Sequence, residues 1–220
     1  MNWALSFLRS SIGLKLVMAI SGVILFGFVL VHMLGNLQVY MGPTLLDEYG
    51  VWLRALGHGA ALWVARGVLL AAAVAHVWSA YCLTRLNQKA RPEGYRERVN
   101  RESTLSSRTM RWSGVVVLVF IVYHLLHFTI GTVHPNFVHG AVHQNFVVGF
   151  RVLWVSAFYM IATLLLGLHL YHGVWSMLQT VGVSHPRYDL MRKRAAAAFA
   201  VLVTLGNLSF PLAVLTGVVK

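Results

Sequence analysis

The sequence is poor in cysteine. Its one cysteine among 220 residues is Cys82. A single thiol excludes a disulfide framework, an iron–sulfur site supplied by this chain alone, a cysteine-rich zinc site and the C-x-x-C-H attachment of a covalently bound haem. Any redox cofactor in this chain must therefore be held without a thioether bond.

Negative charge is also scarce. The chain has 6 Asp and Glu residues, 11% charged residues and 58% hydrophobic residues. A mean hydropathy of +0.68 is too high for a soluble globular chain. The sequence therefore predicts an integral membrane protein.

Five apolar stretches are each long enough to cross a bilayer, which takes about 20 residues of α-helix. None of them contains Asp or Glu. They predict an all-α polytopic protein, a single integral-membrane domain over residues 1–220, with the first four spans forming a bundle. The apolar start of the chain lacks a small-residue cleavage site, so we expect it to be retained. In chain order, the predicted spans I to V cover residues 14–38, 61–85, 111–132, 150–180 and 195–218.

The positive charge lies mainly on one side of these spans. The N-terminal segment and the II–III and IV–V connections hold 14 of the 18 Lys and Arg residues. Loops rich in Lys and Arg stay in the cytoplasm, so the N-terminus is predicted inside and the C-terminus outside. The net charge of +12 then serves orientation, or contact with anionic lipid or a cytoplasmic partner, and does not indicate nucleic-acid binding.

Two connections on the opposite side are long. Residues 39–60 mix aromatic, aliphatic and charged side chains, which favours an amphipathic segment in the membrane interface. Residues 133–149 contain His134, His139 and His143. Three loop histidines can make a metal site, but their irregular spacing and the lack of a nearby acid or thiol favour solvated loop residues.

Six of the 11 histidines lie inside the apolar spans, with at least one on each of spans I to IV. Polar residues at this depth are costly and usually functional. A hydrogen bond to a neighbouring helix would explain one of them, but not a histidine on each of four successive spans. Imidazoles from facing helices bind haem iron in pairs, so four helices predict two b haems. The six are His32, His76, His124, His127, His169 and His172.

An internal repeat selects one pair of ligands. Residues 18–34 of span I match residues 110–126 of span III at Met, Ser-Gly-Val, Phe, His and the final Leu. The match aligns His32 with His124, and both lie nearer the outer face. His127, three residues further on nearly the same helix face, remains an alternative ligand or a partner for a haem propionate.

Depth selects the other pair. His76 lies nine residues before Arg85, which is about 14 Å from the cytoplasmic end of span II. His169 and His172 bracket that level in span IV, and the local sequence modestly favours His169. His172, three residues further on nearly the same helix face, remains an alternative ligand or a partner for a haem propionate. The predicted pairs are thus His76 with His169 near the cytoplasm, and His32 with His124 further out.

Three stretches carry a family likeness: SGVILFGFVLVHMLGN in span I, RTMRWSGVVVLVFIVYHLLHF in span III and HLYHGVWSMLQTVG in span IV. With the order of histidines on spans I to IV, they resemble the five-helix, di-haem cytochrome b membrane anchor of succinate dehydrogenase and fumarate reductase. In that family the fourth ligand is the histidine of an H-x-x-x-G-[LV]-[WY] pattern, matched here by His169 and the residues that follow it. The resemblance covers nearly the whole chain and implies that the haem ligands are His32, His76, His124 and His169.

The resemblance also implies a function and partners. The chain would be the anchor and electron-transfer subunit of a succinate:quinone oxidoreductase in a bacterial-type cytoplasmic membrane. A flavoprotein with FAD and an iron–sulfur subunit would dock on the basic inner face. Electrons would pass from succinate through the flavin, the clusters and the two haems to menaquinone or ubiquinone, or in reverse.

No quinone site stands out in the sequence. The polar residues at the two ends of span I are candidates, although each is equally explained as a helix cap or an interface residue. The candidates are Ser11 and Lys15 at the inner end, and Asn36, Gln38 and His58 at the outer end.

Two alternatives remain open. The cytochrome b anchors of hydrogenases, formate dehydrogenases and nitrate reductases are similar in helix count and histidine use, but distribute their ligands differently. A haem-free transporter using histidines for protons or metal ions would be expected to have broken helices and a buried carboxylate. Only Pro211 interrupts a span in this sequence.

Overall fold

The structure, a computed structural model, describes residues 3–90 and 105–220. All regular secondary structure within these two ranges is helical, as the apolar spans predict. Short 3₁₀ or π turns continue or join several of the α-helices. The α-helices are α1 (Trp3–Arg9), α2 (Ser11–Asn36), α3 (Pro43–Ala55), α4 (Ala60–Lys89), α5 (Leu105–His124), α6 (Val142–Arg151), α7 (Leu153–Thr180) and α8 (Asp189–Leu215).

Five of these helices, α2, α4, α5, α7 and α8, are long and apolar enough to cross a membrane. This confirms the predicted all-α, five-span architecture. The helices extend beyond several predicted spans: α4 runs to Lys89, and α8 begins at Asp189 instead of residue 195. Hydropathy marks only the part of a helix that lies in hydrocarbon, so polar turns at the ends are missed.

The predicted fourth span, residues 150–180, is interrupted near its start. Helix α6 ends at Arg151, Val152 adopts an extended conformation with φ −77° and ψ 110°, and α7 begins next to it. The Ser156 hydroxyl donates to the Phe150 carbonyl at 2.6 Å, which satisfies an acceptor that α6 leaves open. The residues on both sides of the break are largely apolar, so hydropathy alone does not reveal it.

Helices α3 and α6 lie together at the end of the bundle where α2 ends. The helical conformation of α3 agrees with the amphipathic segment predicted for residues 39–60. Asp47 on α3 accepts the backbone N–H of His143 at 2.8 Å. A carboxylate beside the first turn of α6 is favourable because free N–H groups and the positive end of the helix dipole lie there. The two connections therefore form one packed layer.

The spanning helices pack as antiparallel pairs. Helix α2 packs along α4, α5 along α7, and α8 along α7. Close backbone approaches between α5 and either α2 or α4 are few. Gly206 on α8 has no side chain where Met33 of α2 packs against it, so these two helices approach closely.

The basic connections are described only in part. Residues 91–104, which hold much of the predicted cytoplasmic charge, lie outside the described residues. Arg192, one of the basic residues counted between spans IV and V, has a side chain that is only 4% exposed. It donates to the Val183 carbonyl and, at 3.0 Å, to Asp189. A guanidinium is retained in a buried position only with such partners, so Arg192 secures the connection to α8.

Candidate functional site

His76 on α4 and His169 on α7 face each other across the bundle. Their ring centroids are 6.3 Å apart, and their planes are inclined at 59°. Gly22 on α2 lies beside the His76 ring and Gly114 on α5 beside the His169 ring, where added Cβ atoms would lie 3.5 and 3.4 Å from the ring Cε1 atoms. The two glycines thus leave room for imidazoles between the helices.

His32 on α2 and His124 on α5 form a second pair. Their ring centroids are 5.8 Å apart, with an interplanar angle of 84°. Phe28 stacks on His32 at 5.3 Å, and Phe120 packs on His124 at 5.8 Å, each from four residues earlier in its helix. The internal repeat therefore places the same aromatic support under both rings.

The two pairs lie at different levels of the bundle. His76 lies beside Gly22, which is ten residues before His32 on α2. The same ten-residue spacing holds on α5. At 1.5 Å per residue the two levels are about 15 Å apart along the helices. The bundle therefore contains two stacked two-histidine sites.

The centroid separations of both pairs match those of two imidazoles bound to one iron. With metal–nitrogen bonds of about 2 Å, the centroids of two opposed imidazoles lie about 6 Å apart. Within residues 3–90 and 105–220, no group of three or more His, Cys, Asp or Glu side chains could hold a metal ion. Two protein ligands per site suit haem, because the porphyrin supplies the other four iron ligands.

In both rings of the His76–His169 pair, Nδ1 already has a hydrogen-bond partner. Nδ1 of His76 lies 3.2 Å from the Met18 carbonyl and 3.2 Å from the Ser21 hydroxyl. Nδ1 of His169 lies 3.3 Å from the Ser113 hydroxyl. These contacts leave Nε2 of each ring as the nitrogen available to a metal.

The His32–His124 pair needs one adjustment. Nδ1 of His124 lies 3.3 Å from the Tyr159 hydroxyl, which leaves its Nε2 available. Nε2 of His32, however, lies 3.2 Å from the Asn36 amide nitrogen. For His32 to bind iron through this atom, the Asn36 amide must release the contact.

His127, the alternative to His124, shares a neighbour with it. It belongs to a π-helix over Leu125–Ile130, its side chain is fully buried, and its ring centroid is 4.8 Å from that of His134. Its Nδ1 lies 3.1 Å from the same Tyr159 hydroxyl that His124 contacts, whereas Nε2 has no hydrogen-bond partner in the described part of the chain. The two rings therefore meet at Tyr159, but the ring that packs against His32 is that of His124.

His172, the alternative to His169, lies close to the His76–His169 level. Its ring packs edge-on against Trp175, with centroids 5.8 Å apart. Its Nδ1 is buried without a hydrogen-bond partner among the described residues. Buried polar groups are rarely left unpaired.

The expectation that the histidines of residues 133–149 are solvated is wrong for two of them. His134 is 7% exposed and His143 is 8% exposed, whereas His139 is exposed as expected. His134 donates through Nε2 to the Asn145 carbonyl at 2.8 Å. Helix α6 lies against His134 through Asn145 and Gly149, and His143 is buried as part of α6 itself, which the spacing of the histidines does not reveal.

The candidate quinone residues lie in dissimilar surroundings. Ser11 and Lys15 are exposed at the start of α2, and His58 is exposed with a left-handed φ of 55°. Asn36 contacts His32, and Gln38 is half-buried in the turn after α2. A cavity of about 190 Å³ lies near the end of α2, and none of these five side chains lines it.

Sequence reasoning missed three polar side chains beside the histidines: Ser21, Ser113 and Tyr159. The two serines stand at matching positions of the internal repeat, which is a signal that could have been used. Tyr159 lies ten residues before His169 on α7. The same spacing relates the two histidine levels on α2 and α5, so it places Tyr159 at the level of the other pair.

Gly149 on α6 lies where the rings of His127 and His134 meet. An added Cβ would lie 2.8 Å from His127 Cε1 and 3.1 Å from His134 Nε2. Gly149→Ala is therefore expected to destabilise the protein by about 1–3 kcal/mol through overpacking. Thermal unfolding of the purified protein in detergent measures this. Gly67→Ala, with nothing within 4 Å of the added Cβ, is the control, and equal transitions for the two variants would contradict the packing described.

Comparison with known proteins identifies the family. The model of a family described as the succinate dehydrogenase/fumarate reductase transmembrane subunit matches residues 87–208, more than half of the chain. The match includes His124 and His169 and begins after His76. Neither the curated proteins nor the solved structures include a match to the chain. The family match favours this family over the anchors of other oxidoreductases and over a transporter. The chain belongs to the succinate dehydrogenase/fumarate reductase transmembrane subunit family.

Proposed function

We propose that this chain is the membrane anchor and electron-transfer subunit of a succinate:quinone oxidoreductase and holds two b haems. The observation that carries the proposal is the stack of two opposed imidazole pairs, with centroids 6.3 and 5.8 Å apart, in a chain of this family. When bound, haem b supplies reversible one-electron chemistry at its iron.

The residues of this chain provide ligation, burial and spacing. His76 and His169 would hold one haem iron through their ring nitrogens, and His32 and His124 would hold the other. Phe28, Phe120 and their neighbours pack against the ligand rings and limit rotation. A separation of about 15 Å between the levels spreads the two sites across much of a hydrocarbon core of about 30 Å.

Orientation and partners follow from the charge distribution. With the basic connections in the cytoplasm, the His76–His169 level lies nearer the cytoplasmic face of a bacterial-type inner membrane. An iron–sulfur subunit and an FAD-containing flavoprotein dock on that basic face, and the apolar surface contacts lipid. The electron acceptor or donor in the membrane is a quinone, either menaquinone or ubiquinone, with Ser11 and Lys15 as the candidate contacts at the cytoplasmic end.

Co-purification tests the assignment. The tagged full-length chain, extracted in mild detergent, is expected to bring down a flavoprotein and an iron–sulfur protein that together reduce a quinone analogue with succinate. Dissociation of the two soluble subunits is expected to abolish quinone reduction while succinate still reduces the flavin. Co-purification with a hydrogenase, formate dehydrogenase or nitrate reductase would contradict the proposal.

A further inference from the structure

Two buried serines occupy matching positions of the internal repeat and meet matching histidines. Ser21 on α2 is 4% exposed, and its hydroxyl lies 3.2 Å from Nδ1 of His76. Ser113 on α5 is 2% exposed, and its hydroxyl lies 3.3 Å from Nδ1 of His169. Each serine therefore stands behind one ring of the same imidazole pair.

The direction of these hydrogen bonds follows from what each atom can donate. The Ser113 hydroxyl donates to the Met110 carbonyl at 3.1 Å. A hydroxyl has one proton, so the contact with His169 requires Nδ1–H to donate to the serine oxygen. His169 is thereby held as the tautomer whose Nε2 carries the free lone pair.

The same arrangement holds on α2, with one additional acceptor. The Ser21 hydroxyl donates its one proton to the Val17 carbonyl at 2.7 Å, and the Met18 carbonyl lies 3.1 Å from the same oxygen. Nδ1 of His76 also lies 3.2 Å from the Met18 carbonyl, which only accepts, so Nδ1 must carry the proton. His76 thus has two acceptors at Nδ1, whereas the hydrogen bonds of the described residues give His169 one.

The residue after each serine completes the arrangement. Gly22 and Gly114 have no Cβ, and the ring edges of His76 and His169 lie against them. The segment Met-x-x-Ser-Gly is therefore used twice, and each time a serine hydroxyl and an open backbone surface at the glycine lie against one imidazole. The Met18 carbonyl is an additional contact, made to His76 alone. A hydroxyl bonded within its own helix is common in helices. Its simultaneous contact with a histidine of another helix, at both repeat positions, is not explained by helix structure alone.

We propose that Ser21 and Ser113 are positioning residues that fix the tautomer and ring orientation of His76 and His169 as haem ligands. The inference rests on the proposed function, because it takes these two histidines as the ligands of one haem. An acceptor at Nδ1 raises the basicity of an imidazole ligand. A more basic ligand favours ferric iron and lowers the midpoint potential.

The unequal number of acceptors predicts unequal effects. Ser113→Ala leaves Nδ1 of His169 without its acceptor. Ser21→Ala leaves Nδ1 of His76 with the Met18 carbonyl. Ser113→Ala is therefore expected to raise the midpoint potential of this haem more than Ser21→Ala, and to weaken haem retention by about tenfold or more.

Spectroscopic redox titration of the purified complex tests this. The haem concerned is the component that disappears in His169→Ala, and the other haem in the same sample is the internal standard. Ser176→Ala is the matched control: Ser176 on α7 donates to the Gly173 carbonyl at 3.2 Å but meets no histidine ring in the described part of the chain. The expected order of upward shifts is Ser113→Ala, then Ser21→Ala, with no shift for Ser176→Ala.

The outcomes separate the inference from the function it rests on. With both haems present, a Ser113→Ala potential equal to that of Ser176→Ala would overturn the positioning role and leave the haem assignment intact. Equal loss of both haems in Ser113→Ala would overturn it as well, because the serine would then only support packing. A parent complex without b haem would overturn the proposed function itself.

Discussion

His169→Ala and His76→Ala are each expected to remove one of two haems and to leave the other in place. Each change deletes one of two opposed imidazoles whose centroids are 6.3 Å apart, and the other level of the bundle is about 15 Å away. Haem per chain, measured as the pyridine haemochrome of the purified complex, should fall by about half. Quinone reduction by succinate should fall to background while succinate still reduces the flavin.

His172→Ala is the matched control for this prediction. His172 lies three residues after His169 on α7, and its ring packs against Trp175. The variant is expected to keep both haems. Loss of a haem in His172→Ala with retention in His169→Ala would show that the ligand of α7 has been assigned to the wrong histidine.

His32→Ala and His124→Ala are expected to remove the other haem. The centroids of their rings are 5.8 Å apart. Neither side chain is a proposed ligand of the haem between His76 and His169. The haem that remains in these two variants should be the one that is lost in His169→Ala. The spectra of the two sets of variants should therefore add up to the spectrum of the parent complex. The double variant His32→Ala with His169→Ala should contain no b haem.

His127→Ala separates ligation from burial at this level. The His127 side chain is fully buried, so its truncation should lower the free energy of unfolding by about 2–5 kcal/mol, as for other large buried side chains. Both haems should nevertheless remain, because its ring lies against His134 and not against His32. A His127→Ala complex lacking one haem, beside a His124→Ala complex with two, would contradict the assignment.

The five spans could be predicted because a helix that crosses the hydrocarbon core must be made of about 20 mostly apolar residues. This requirement can be read from composition alone. The ends of the helices and the break at Val152 could not, because polar end turns and tertiary packing decide them. The burial of His134 and His143 depends on how α6 packs at the end of the bundle, and local spacing carries no information about that packing.

The pairing of the histidines could be anticipated from depth and from the repeat, which are regular properties of helices. The contact of His127 with His134 could not, because it depends on how the connection after α5 folds. The contact of Asn36 with His32 depends on a side-chain conformation that helical spacing alone does not specify. The serines behind His76 and His169 were visible as matched positions, but their role becomes clear only from the hydrogen bonds.

The most direct test of two haems held between histidine pairs is the haem content and spin state of the purified complex. Two b haems per chain are expected, both low-spin in reduced-minus-oxidised and ferric EPR spectra, since both irons would have two imidazole ligands. One haem per chain, none, or a high-spin five-coordinate iron would contradict the account.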